Sequence, residues 1–217
     1  MSDRNARRSR ASRPPPQARD VDATPFTPIL EALLSRAPGA DGVALVDGEG
    51  ETVDYAGLAS PFDMRIAAAH LQIVLRHVEE LGKLGSPRSI VVRGSRKSVV
   101  IRSLPDGYAL AVLLRRGAGF TATARAYAVC ERALAVEAGW PTPEGRFWCA
   151  VDVETEPGGR PRSIGGTEVE VLGTLVDVPR GQRGFRVRGW GGLEAMLVRE
   201  PGGHWYLDED LPIATRA

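Results

Sequence analysis

SIVVRGSRKSVVIRSLPDGYALAVLLRR, residues 89–116, reads as three short strands joined by two tight turns. Apolar, β-branched runs flank Gly94-Ser95 and Pro105-Asp106-Gly107, and these are turn-forming residue types. Such a meander needs a cover over at least one face. It also leaves an edge: residues 89–93 form a short apolar strand with no proline inside it, open to pairing.

The neighbouring sequence supplies the cover. SPFDMRIAAAHLQIVLRHVEELGKLG starts at Ser60, a capping residue with Asp63 three positions on and Pro61 at the first helical position. Gly82 is a stop signal, so a helix is expected over 61–79. Upstream, GVALVDGEGETVDYAG is a hairpin turning at Asp47-Gly48. Before it, TPILEALLSRAPG predicts a helix capped by Thr27, with Pro28 first inside and Ile29, Leu30, Leu33 and Leu34 as its apolar stripe. Downstream, the Ala-rich TATARAYAVCERALAVEAG predicts a helix over 121–138. The order is α-β-β-α-β-β-β-α. Its natural packing is an α+β domain: a five-stranded antiparallel sheet with helices on its faces.

Composition changes on either side of this domain. Residues 1–24 are rich in Arg and Pro and read as a disordered arm rather than a secretory signal, because no apolar segment follows the basic residues. Arg4, Arg7, Arg8, Arg10 and Arg13 offer it a second use, contact with an acidic surface or a nucleic acid. The domain proper spans 25–138, and GWPTPEG makes 139–145 a linker. Residues 146–211 then show short strands and Gly/Pro turns without helical period, as in a small all-β, barrel-like unit. Trp148, Trp190 and Trp205 read as its core anchors, with an aromatic peptide groove as the other use for them.

Whole-chain properties exclude several functions. With 43% hydrophobic and 25% charged residues and a net charge of +1, the chain is ordinary globular material without a field for polyanions. Nucleic-acid binding through the arm and Arg93, Arg96, Lys97 and Arg102 is therefore not favoured. Cys130 and Cys149 form neither a CxxC pair nor a Cys/His cluster, so no metal site is expected; they read as thiols of a reducing, cytoplasmic compartment. No apolar run is long enough to cross a bilayer as a helix. GxxxxGK[ST], HExxH, GxSxG and GxGxxG are absent, and no catalytic residue or cofactor is assigned. DGEGE and GWGGLE read as turns, and Asp208, Glu209 and Asp210 as a solvated acidic end.

On a helical wheel, Met64, Ala67, Ala68, Leu71, Val74, Leu75 and Val78 form the stripe that should cover the sheet. Ile66 and Ile73 lie on its flank, beside His70 and His77. The polar strip, Arg65, Gln72 and Arg76, spans only about 40°. A helix covering one face of a sheet needs one apolar stripe, and this one carries a second. Ile66, His70, Ile73 and His77, with Ile90, Val91 and Val92 of the edge strand, are the candidate interface.

These segments resemble the Roadblock/dynein light chain family. The resemblance lies in Gly42 to Gly57, Ser98 to Arg102 and Asp106 to Leu114, the last through its D-G-Y-x-L pattern, and covers roughly residues 25–138. It implies a homodimer or heterodimer in which the long helix and third strand of each subunit meet their counterparts. It also implies a platform of paired helices where a Ras-like small GTPase docks, with Arg65, Gln72 and Arg76 facing it. Some bacterial members stimulate GTP hydrolysis without donating a catalytic residue. The resemblance therefore implies a non-enzymatic regulator or scaffold. The alternative expectation is a small-molecule sensory module with a pocket between the sheet and helix 61–79.

Overall fold

A computed structural model describes residues 19–208, except 21, 83, 84, 86, 119–122, 144–146 and 190. The expected arm before residue 19, part of the linker, Trp190, Glu209 and Asp210 lie outside the described residues.

The chain runs α1 (Thr27–Ser35), β1 (Ala40–Val46), β2 (Thr52–Gly57), α2 (Pro61–Glu80), β3 (Ser89–Arg93), β4 (Ser98–Ser103), β5 (Ala109–Leu114) and α3 (Ala124–Ala138). The strands form one antiparallel sheet in the order β2-β1-β5-β4-β3, so the meander ends at a free edge, β3. Local chemistry makes the turns. Asp47 Oδ1 accepts from the amides of Glu49 and Glu51, both at 2.9 Å, and closes the first hairpin. Asp106 sits at φ 55° between β4 and β5, the one non-glycine residue with positive φ among those described.

β5 shows why the sheet needs covers on both faces. All six of its residues are buried. Leu110, Val112 and Leu114 point into the layer of α1 and α3, while Ala109, Ala111 and Leu113 point under α2. The small alanines let α2 approach closely. Gly42 does the same on β1, where a Cβ would stand 2.8 Å from Met64 Cε.

Two details differ from the sequence expectations. Thr27 does not cap α1; Phe26 occupies the cap position without a side-chain bond, and Thr27 Oγ1 turns to Asp54 at 2.6 Å. On α2, Met64, Ala68, Leu71, Gln72 and Leu75 are the buried residues, so the covering stripe is rotated by about 40° from the one read off the wheel. Val74 is 42% exposed and Gln72 only 5%. The buried amide is satisfied on one side only: its Nε2 donates to the Gly107 carbonyl at 2.7 Å, while its Oε1 has no partner among the described residues.

After the third helix come β6 (Trp148–Val151), β7 (Val153–Thr155), β8 (Pro161–Ile164), β9 (Thr167–Glu168), β10 (Glu170–Leu175), β11 (Arg183–Arg188), β12 (Glu194–Arg199) and β13 (Trp205–Asp208). They make an open five-stranded sheet, β10-β11-β12-β13-β6, and a three-stranded one, β7-β8-β9, instead of the expected barrel. Phe185, Val187, Leu197, Trp205 and Leu207 give this unit its own core. Alternation along β13 sends Tyr206 the other way, into the core shared by α1, α3 and the first sheet, where Trp148 and Ala150 also pack. Arg125 of α3 braces the join. Its Nη1 donates to Gln182 Oε1 at 2.9 Å and to buried Glu200 at 3.1 Å, and its guanidinium lies 4.4 Å from the Trp148 ring.

Candidate protein-docking site

The rotation of α2 decides what it shows to solvent. With its buried stripe turned, the side directly away from the sheet carries Phe62, Ile66 and Ile73, exposed by 69%, 42% and 51%. Val74 and Leu81 extend this apolar surface along one side. His70 and His77 lie beside it, each ring nitrogen Nδ1 against the carbonyl one turn back, Ile66 O at 2.8 Å and Ile73 O at 2.9 Å. Among the described residues no group of three or more His, Cys, Asp or Glu is placed to hold a metal. Phe62 escapes the sequence reading because it sits in the first turn, outside the window whose periodicity marks the flank.

The edge strand adds to this surface. Val91 and Val92 are exposed, while Ile90 is half-buried against the cluster of Leu71, Leu75 and Ile101. Of the polar strip, Arg65 and Arg76 face solvent and Gln72 does not. Gln72 therefore cannot face a docked GTPase. Arg65 is paired with Asp20, which lies in the segment before α1.

That segment is held by a buried carboxylate. Asp54 on β2 is 1% exposed. It accepts from Arg19 Nη2 at 2.6 Å, Thr24 Oγ1 at 2.5 Å, Thr27 Oγ1 at 2.6 Å and the Tyr55 amide at 2.7 Å. Burial pushes its carboxyl up, but the bonds from Thr24, Thr27, Arg19 and the Tyr55 amide outweigh that and hold it below its ordinary value. Tyr55 Oη donates to Asp20 at 2.6 Å. Asp20 and the Thr24–Thr27 stretch are thus tied to β2 and to α2, a correction to an arm expected to be disordered through residue 24. The only sequence signal was an aspartate inside a strand pattern, and its partners are about 30 residues away.

Other expectations can be placed on the same geometry. Arg102 of the basic run bonds Glu131 at 2.6 Å and stacks on Tyr127, while Lys97 lies 3.5 Å from Asp41. Two of that run's four charges are therefore already compensated. Burial pushes the Cys130 thiol up to about 12, with Glu131 adding to the effect, so it is no nucleophile at neutral pH. The space between α2 and the sheet is filled by Met64, Leu71 and Leu75. Among the described residues, no helix is long and apolar enough to cross a membrane.

The described part of residues 25–138 thus folds as an α+β domain, a five-stranded antiparallel sheet with helices on its faces in the element order read from the sequence, and among the described residues the outer face of α2 is apolar and exposed. No protein-family model and no curated protein matches the sequence. Solved structures do resemble it. The chain is similar to Myxococcus xanthus MglB at 16% identity and TM-score 0.46, covering 55% of this chain and 98% of that one. It is similar to the gliding protein MglB of Thermus thermophilus at 18% and 0.47, covering 55% and 94%. A Roadblock/LC7 domain from Streptomyces avermitilis matches at 23% and 0.37, covering 50% and 87%.

Proposed function

We propose that this chain is a non-enzymatic, cytoplasmic interaction protein that pairs with a second copy of itself through α2 and β3. The paired helices then dock a Ras-like small GTPase, which the protein regulates or scaffolds. The observation that carries this reading is the outward face of α2: Phe62, Ile66 and Ile73 are exposed side by side, next to an edge strand whose Val91 and Val92 are exposed too. Apolar surface of this kind on a soluble domain marks an interaction site. An open strand edge beside it allows two sheets to join. Arg65 and Arg76 border the face and would meet an acidic GTPase surface.

The test is the absolute mass of the full chain by light scattering behind a sizing column, with Ile73→Asp and Leu71→Asp beside it. The wild type runs as a dimer. Ile73→Asp runs as a folded monomer, because its side chain is half in solvent already. Leu71→Asp unfolds, because it places a charge at an 8% exposed site under the helix. A wild-type monomer refutes the self-pairing. A pull-down with Ras-like GTPases loaded with GDP or GTP then tests docking: a nucleotide-dependent complex supports regulation, an indifferent one supports scaffolding, and none refutes the GTPase assignment.

A further inference from the structure

We propose that Arg160, Arg183 and Arg199 of the C-terminal unit form a receptor for an acidic, extended segment of a partner protein, seated in the two grooves that meet at Gly158 and Arg183. The starting observation is electrostatic. Arg183 and Arg199 are direct partners across β11 and β12. Like charges directly opposite one another destabilise a strand pair. Elsewhere on the same sheet Arg186 is met by Glu194 at 2.5 Å, and Arg188 by Glu170 at 3.0 Å and Glu194 at 2.9 Å. Among the described residues Arg160, Arg183 and Arg199 have no such partner. They are held by neutral groups instead. Arg183 Nη1 donates to the Gly158 carbonyl at 3.1 Å, Arg160 Nη2 donates to the Val171 carbonyl at 3.2 Å, and Arg199 lies over the Trp205 ring at 5.7 Å. The guanidinium groups are oriented while their charge stays uncompensated.

The backbone leaves room for them to converge. Gly159 has φ +82°, and a Cβ there would stand 3.3 Å from Arg183 Nη1 and 3.5 Å from Arg199 Nη1. Two grooves meet at Gly158 and Arg183. One, of about 330 Å³, is lined by Arg199 and by Glu200, whose charge is met by Arg125; the other, of about 750 Å³, follows β10 and β11 past Arg160 between walls that include Val171, Val178 and Phe185. A free anion needs only the arginines. An apolar wall beside the arginines suits a chain whose side chains alternate between acidic and apolar. Among the described residues, Asp208 is not placed to fill this role. Trp205 pairs with Arg199 at the arginine end of β13, whereas Asp208 leaves from the other end.

The test uses the full chain and a fluorescent synthetic peptide of alternating glutamate and valine, read by anisotropy. Arg183→Gln and Arg199→Gln each weaken binding about tenfold or more, and salt weakens it in the wild type. Arg186→Gln, whose charge already faces Glu194, changes little. The thermal midpoints of the first two variants stay level or rise, since an opposed charge is removed. Absence of binding, an equal loss in Arg186→Gln, or inorganic phosphate binding as tightly as the peptide overturns the proposal. So does a lowered midpoint in both variants, which would mean that the opposed charges are already compensated. This site lies outside α2 and β3, so its failure leaves the dimer and the GTPase reading untouched.

Discussion

Replacing Asp54 with alanine is the sharpest probe of how this fold holds the segment before α1 against β2. The carboxylate is 1% exposed and accepts four hydrogen bonds, from Arg19, Thr24, Thr27 and the Tyr55 amide. A hydrogen bond to a charged group contributes about 1.5–3 kcal/mol. The gross loss is partly recovered, because Arg19 is 29% exposed and can turn to water. Removing one partner of a buried charged network costs about 3–5 kcal/mol, and the lower end applies here. For a chain of this size that is a fall in thermal midpoint of about 6–12 °C. The pH dependence has a definite sign. The folded carboxyl titrates below its ordinary value of 3.8, so its stabilising effect is fully present above that pH and is lost as pH falls through the lower folded value. The gap between wild type and Asp54→Ala should therefore be constant from neutral pH to about 5 and narrow in stronger acid. Thermal melts monitored by circular dichroism from about pH 7 down to about pH 2.5 cover that window and measure both. A loss below about 1 kcal/mol, or a gap that does not narrow in acid, would refute the reasoning.

Two further outcomes follow from buried groups elsewhere. Arg125→Ala leaves the Glu200 carboxylate buried without its ion pair and should cost about 3 kcal/mol, splitting the single calorimetric transition into two as the C-terminal unit loosens from α3. One sharp, unshifted transition would show that Tyr206 and Trp148 hold the join unaided. Iodoacetamide at about pH 8 should leave Cys130 unmodified in the folded protein and modify it once urea unfolds the chain, because burial keeps the thiol protonated. Mass spectrometry of the Cys130 peptide reads this, and fast native labelling would contradict the packing of α3.

Much of the N-terminal domain was legible because its signals are local. Pro105-Asp106-Gly107 makes a turn wherever it stands between strands, and Ser60-Pro61 opens a helix through the backbone geometry of its own first turn, the Ser60 hydroxyl accepting from Asp63 N. The stretch 89–116 therefore determined three strands, two turns and an edge without reference to anything distant. The outer face of α2 was legible in part. The period set Ile66 and Ile73 apart from the covering stripe, and they are exposed, while Gln72 of the polar strip is buried, because the wheel gives spacing but not rotation. That rotation is set where Gly42 admits Met64 and Gly107 accepts from Gln72, two contacts with segments the helix cannot specify. Asp54 reads as an ordinary polar strand residue until Arg19, Thr24 and Thr27 fold over it. The opposition of Arg183 and Arg199 exists only in the register of β11 against β12. Element type follows from interactions within a few residues, and the sequence alone determined it. Which side chains meet depends on packing and register between distant segments, and only the tertiary structure decided that.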